Sequence, residues 1–226
     1  MILSSNVTGG IRRWGDLGNF VEGDCTVAAY YHVVMAKNRQ RSRRGWLYRL
    51  GFSVPGTPYA LEEYAAYLAT IGESPSPSTG VGEEGWLDWQ KSNGLVVEWA
   101  QVKPVLSSDP RDFETRIREA MVDYGGAMMA GYLTQRAVAA SGPRVVWTTG
   151  PDAIDTPNPS FSHSVALLAT TAERDYCVTW GKWQPMTLDF RAACFQGVFV
   201  FLHCSETDLP GFGTRLANLR ALKAAQ

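Results

Sequence analysis

The sequence predicts one α+β domain, with helices first along the chain and antiparallel strands after them. Two patterns predict it. Across residues 25–92 apolar and small side chains recur at the three- and four-residue spacing of helices, whereas the segments between 127 and 203 are dominated by short apolar runs of strand length. A third observation concerns continuity: the 226 residues contain no internal repeat and no linker that would divide them.

Residues 1–23 are rich in Gly and Asn, lack sustained periodicity and read as an irregular arm. Asp24 is a good N-cap, and from Cys25 to about residue 37 Val27, Ala28, Tyr31, Val34 and Met35 recur at helical spacing, which puts Cys25 in the first turn. Pro58 opens a second helix through Leu61, Tyr64, Ala65 and Leu68 to about Ile71, ended by the Pro- and Ser-rich stretch 74–80. Residues 83–92 read as a third, with Gly94 as its stop. Residues 96–102 alternate as a strand, and Asp109 caps a helix from 110 to about 124 whose apolar positions include Phe113, Ile117 and Met121. After Gly125 and Gly126 a buried strand is expected at 127–133 and a short one at 145–148. The loop 150–160 precedes the clearest strands, 164–170, 176–180 and 197–203, with a short helix at 187–194 between the last two. From about 206 to 226 the chain reads as a tail.

Hydrophobic residues make up 45% of the chain and charged ones 19%, the composition of a soluble globular protein rather than a disordered one. Twenty-one basic residues against 22 acidic ones leave a net charge of -1, so no global field draws in nucleic acid or an anionic membrane. The one basic cluster, Arg39, Arg41, Arg43 and Arg44, reads as a solvated helix end in preference to a phosphate-binding patch. Residues 1–10 lack the basic flank and apolar core of a secretory signal, and no apolar run reaches the length of a bilayer-spanning helix. Cys25, Cys177, Cys194 and Cys204 have no CxxC spacing, which argues against a zinc site. The last three lie in apolar segments and read as small core residues of a reducing compartment; Cys25 stands among polar neighbours.

A thiol attacks as thiolate, and a helix N-terminus favours negative charge, so Cys25 is the candidate nucleophile. Its base would be a histidine on a rigid element. His163, at a loop-to-strand transition, is the favoured one. His32 lies two helical turns beyond Cys25, roughly 10 Å along the axis, and reads as a packing histidine. His203, in the last strand beside Cys204, also reads as structural. Asn19, six residues before Cys25 and flanked by glycines on its loop, is either an oxyanion-stabilising amide or a turn asparagine; spacing favours neither.

The segments Gly23-Asp24-Cys25, Ala28-Ala29-Tyr30-Tyr31-His32, Ser162-His163-Ser164 and Val178-Thr179-Trp180-Gly181-Lys182-Trp183-Gln184-Pro185-Met186-Thr187 together resemble the papain-like cysteine peptidase superfamily. Within it they are most similar to a group of papain-like proteins of bacteriophages and actinobacteria. The likeness runs from about Trp14 to Leu202. It implies a papain-like fold, with N-terminal helices packed on an antiparallel sheet. It also implies Cys25 as nucleophile, His163 as general base and Asn19 as the oxyanion-hole amide. Papain-like peptidases orient the histidine with an Asn or Asp just before the Trp-Gly pair. This sequence has Thr179 there, so the orienting partner is either missing or replaced by the Thr179 hydroxyl or the Gln184 amide. Asp24-Cys25-Thr26 also resembles the Asp-Cys-Ser start of NlpC-type and CHAP-type cell-wall amidases, although the Trp-Gly and the long insert before His163 look more papain-like.

The resemblance implies a phage- or prophage-associated cysteine hydrolase of amide or isopeptide bonds, in the cytoplasm of a bacterial host or in a virion, using no metal and no organic cofactor. The alternative is an inactive papain-like fold kept as a structural or interaction protein, such as a virion component. Expected partners are a peptide or isopeptide substrate, or another protein, virion proteins among them. Nucleic acid and membrane are not expected partners.

Overall fold

The structure is a computed structural model that describes residues 5–8, 10–43, 56–103 and 110–225. Arg44 and the expected cap Asp109 lie outside the described residues, as do the side chains of Arg41 and Arg43. In chain order the elements are β1 (Ser5–Asn6), α1 (Cys25–Arg43), α2 (Thr57–Thr70), α3 (Glu83–Ser92), β2 (Val96–Gln101), α4 (Pro110–Asp123), β3 (Ala127–Tyr132) and α5 (Gln135–Ala139). They continue with β4 (Ser162–Thr170), β5 (Arg174–Thr179), β6 (Lys182–Thr187), α6 (Leu188–Cys194), β7 (Phe195–His203) and α7 (Phe212–Ala224). The mixed α+β class expected from the sequence is what forms.

The strands make one antiparallel sheet in the order β2-β7-β3-β4-β5-β6, with β1 paired to β4. Helices cover both faces. Along β4, Ala166 and Leu168 join the core beneath α1 and α2, whereas Val165 and Leu167 join the core shared with α4, α6 and α7. Alternate residues are thus buried on opposite sides, which is why the strand reads in sequence as a continuous apolar run. α1 is buried all round from Thr26 to Lys37, wider than the stripe its periodicity suggests. Its alanines, Ala28, Ala29 and Ala36, let neighbouring elements approach closely. At its far end the Lys37 ammonium meets Glu206 at 2.9 Å and donates to the Tyr124 and Phe201 carbonyls, tying α1 to the end of β7.

Three sequence expectations need correction, and one strand goes unread in the sequence. The segment 182–187 is a full strand: β5 and β6 form a two-residue hairpin in which Trp180 (φ 47°) and Gly181 (φ 67°) are both left-handed, the conformation a tight hairpin turn demands. A Trp at the first turn position hid it. The expected strand at 145–148 is a single bridge from Trp147 to Met186. The C-terminal tail is a helix, α7, which buries Leu219 and lays Lys223 Nζ 4.0 Å over the Trp99 ring. The irregular arm contributes β1, beside Ala169 and Thr170.

Candidate active site

The Ala28 amide donates to the Asp24 carbonyl at 2.9 Å, so Asp24 is the residue at which α1 begins. Its side chain does not cap. Both carboxyl oxygens are buried without a hydrogen-bond partner, and burial, with Glu22 and Asp16 close by, pushes the carboxyl up to about 7. The loop before it doubles back as the sequence suggests: a Cβ on Gly18 would stand 2.8 Å from Asp24 Oδ2, at a backbone φ of 101°. Asn19 lies in that loop, its amide N–H donating to the Asp16 carbonyl at 3.1 Å. Its half-buried side-chain amide carries no hydrogen bond among the described residues.

Cys25 is half-buried at the start of α1, in a neighbourhood that includes Ser164 of β4 and the carboxyl groups of Glu83 and Asp24. Burial pushes the thiol up to about 11; the Ser164 amide opposes this and the Glu83 and Asp24 carboxylates add to it. The expectation of an acidic thiol is corrected: burial is the largest influence on this sulfur and raises it.

His163 is buried on the second position of β4, opposite Gly131 of β3. Its Nε2 meets Thr179 Oγ1 at 2.6 Å, and the Trp180 ring stacks on the imidazole at 4.7 Å and 25°. The turn that carries Trp180 is itself pinned, because a Cβ on Gly181 would lie 2.8 Å from the Gly15 carbonyl carbon. Burial lowers the imidazole to about 4, so it rests neutral. No hydrogen bond is made by His163 Nδ1 among the described residues. Gln184, the other candidate orienter, instead accepts from Gly142 N at 2.7 Å and donates to the Val145 carbonyl at 2.7 Å, organising that loop.

No protein-family model matches the chain, and no curated protein is significantly similar to it.

The structure therefore brings His163 to Thr179, and Cys25 to the residue that follows His163. It does not join thiol to imidazole: no hydrogen bond links them among the described residues, and alternation along β4 turns Ser164 toward α1 and His163 toward Trp180. His32 is a packing histidine, with Nε2 2.9 Å from the Gly15 carbonyl and its ring edge-on to Trp14. His203 is buried against Ser205, and of the three cysteines read as core, Cys177 and Cys194 are buried and Cys204 half-buried. Among the described residues no group of three or more His, Cys, Asp or Glu is placed to hold a metal, and no helix is long and apolar enough to cross a membrane.

Sequence reasoning missed Glu83. It accepts a hydrogen bond from Ser164 Oγ and lies 3.1 Å from Thr26 Oγ1, although the first partner is 81 residues away along the chain. The available signal was alternation: a His on one face of a strand start leaves the next residue facing the helix.

Proposed function

We propose that the chain is a cysteine hydrolase of the papain-like kind, cleaving an amide or isopeptide bond through a Cys25 thioester. One observation supports the reading: His163 is oriented at the start of β4 by Thr179 at Nε2 under a stacked Trp180, one residue before the Ser164 that neighbours Cys25, with no hydrogen bond on Nδ1 among the described residues. With Nε2 donating to Thr179, Nδ1 is the basic nitrogen. In the proposed reaction the thiol proton passes to Nδ1 as sulfur bonds to the carbonyl carbon. The imidazolium then gives that proton to the departing amine, and water hydrolyses the thioester with the imidazole as base again. Asn19 is proposed as a donor to the oxyanion. A bacteriophage or prophage setting, and a substrate drawn from virion or host proteins, belong to the same proposal through the family resemblance.

A second reading, an inactive papain-like scaffold serving as a structural or interaction protein, is favoured by the missing thiol–imidazole hydrogen bond and by both groups resting neutral. Alkylation of the native protein by iodoacetamide, followed by peptide mass spectrometry, separates the two. Reaction at Cys25 that His163→Ala slows at least tenfold supports the hydrolase. Equal rates in both proteins, no faster than a buried thiol in an unrelated core, leave only the scaffold.

A further inference from the structure

Thr26 follows the candidate nucleophile in the chain and Ser164 follows the candidate base, and both hydroxyls reach one carboxylate oxygen at the entry of α3. Buried Thr26 donates to the Val81 carbonyl at 2.5 Å, and its Oγ1 lies 3.1 Å from Glu83 Oε1 and 3.2 Å from Ser164 Oγ. Ser164 Oγ donates to the same Glu83 oxygen. The first turn of α1, the start of β4 and the segment 81–83 therefore meet at the Thr26 hydroxyl. A threonine within a helix ordinarily turns its hydroxyl back to a carbonyl one turn earlier. This one is committed to a carbonyl 55 residues away. The commitment matters because α1 begins at Asp24, whose carboxyl oxygens accept no hydrogen bond and cap nothing. A helix end without a side-chain cap frays unless something else ties it down.

We propose that Thr26 is a positioning residue: its hydroxyl latches the start of α1 to β4 and to the entry of α3, and so fixes where Cys25 stands relative to His163. The purpose of the latch rests on the hydrolase reading, in which sulfur and imidazole must exchange a proton during attack. A β-branched side chain suits the place, because its stiff χ1 holds the hydroxyl at one point with little further loss of freedom. The third residue of Asp24-Cys25-Thr26 thereby acquires a role. The latch is carried by the neighbours of the two reacting groups and by neither group itself. Its loss leaves both reacting side chains chemically intact while loosening the spacing between them.

The test compares Thr26→Val, which keeps the shape and loses the hydroxyl, with Thr26→Ser, which keeps the hydroxyl, in the full-length protein. The readouts are hydrogen exchange at the Ala28 and Ala29 amides by NMR, and iodoacetamide alkylation of Cys25 by mass spectrometry with and without His163→Ala. Thr26→Val is expected to speed exchange at both amides about tenfold and alkylation about threefold, as the first turn of α1 loosens and the sulfur gains water. In that background the effect of His163→Ala on alkylation, about tenfold in the wild type, should shrink to less than about threefold. Thr26→Ser is expected to stay within about twofold of the wild type in each readout. Thr170→Val removes another buried threonine hydroxyl, the one that donates to Asp175 at the far end of β4. It should leave the effect of His163→Ala at about tenfold, which separates positioning from a general loss of stability. Wild-type exchange in Thr26→Val, a His163→Ala effect that survives there in full, or a Thr26→Ser that behaves like Thr26→Val each overturns the proposal. If Thr26→Val does not fold, Ser164→Ala removes the β4 arm of the latch alone: faster exchange at Ala28 supports the latch and an unchanged rate refutes it. A wild type in which His163→Ala leaves alkylation unaltered fails the hydrolase reading. The exchange rates still decide the latch in that case, through their rise in Thr26→Val and their return in Thr26→Ser.

Discussion

Asp24 offers the sharpest stability test, because its carboxyl is fully buried and neither oxygen has a hydrogen-bond partner. The fold raises it from the ordinary 3.8 to about 7, first through burial and then through Glu22 and Asp16. A carboxyl raised in the folded state binds its proton more tightly there than in the unfolded chain. Its contribution is therefore fully present below about pH 3.8 and is lost as pH rises through about 7. Between those limits the loss is about 1.4 kcal/mol per pH unit, about 4 kcal/mol in all. Asp24→Asn keeps a good N-cap residue type and removes the titration. Other groups complicate the absolute curve: His32 and His163, both lowered to about 4, add stability that is present above pH 6.5 and lost as pH falls toward 4. They are common to both proteins and cancel in the difference. Urea denaturation of wild type and Asp24→Asn at about pH 5 and about pH 8 should give a stability difference that moves by roughly 2–3 kcal/mol in favour of the variant at the higher pH. A difference that stays flat with pH means that Asp24 is ionised in the fold and has a partner, and the argument fails.

Three further substitutions probe the supports of the site. Lys37→Met removes the donor to the Tyr124 and Phe201 carbonyls and leaves buried Glu206 with Arg215 and the His203 amide as its remaining partners, so a loss of about 3 kcal/mol in urea denaturation is expected; a loss below about 1 kcal/mol contradicts it. Thr179→Val keeps shape but strips His163 Nε2 of its partner, and should cost about 1–3 kcal/mol and move the imidazole resonances in NMR spectra; unchanged resonances would mean that Thr179 does not orient the ring. Gly181→Ala puts a methyl group 2.8 Å from Gly15 at a left-handed backbone position, and should lower stability by about 2 kcal/mol; a wild-type melting temperature refutes the close approach.

Much of the frame was legible because local pattern and burial agree. α3 spans the stretch its periodicity marked, with Gly94 at φ 76° just beyond it, and Thr187 caps α6 by accepting from Phe190 N. What was not legible depends on partners distant in sequence. β6 reads poorly as a strand because Pro185 interrupts it, yet it pairs along its length with β5. α7 shows no sequence stripe strong enough to mark it and is fixed by packing on β2, where Glu98 and Lys223 approach to 3.4 Å. At the site, the helix start, the strand-start histidine and its Thr179 partner follow from spacing and resemblance. The protonation of Cys25 does not, because the dipole argument treats the terminus as exposed, and the sulfur is instead packed under β4 and α3 with two carboxylates near it.

Those protonation states constrain how any chemistry at Cys25 runs. The thiol rests near 11 and the imidazole near 4, so moving the proton from one to the other in the resting protein costs roughly 9 kcal/mol before the resulting charges attract each other. Attraction between the separated charges in a partly screened site returns only part of that cost, so the ion pair is a minor species at rest. A nucleophile held in advance as thiolate is therefore not available here, and sulfur must lose its proton as it attacks. Two measurements follow from that. Alkylation should rise with pH through the neutral range with no plateau, and acylation by an activated ester should show a normal solvent deuterium isotope effect, since a proton is in flight in the rate-limiting step. A pH-independent alkylation rate above about pH 5, together with an absent or inverse isotope effect, would mean that the charges are already separated at rest. In that case the buried, neutral Cys25 and His163 described here are not the reacting state of the site.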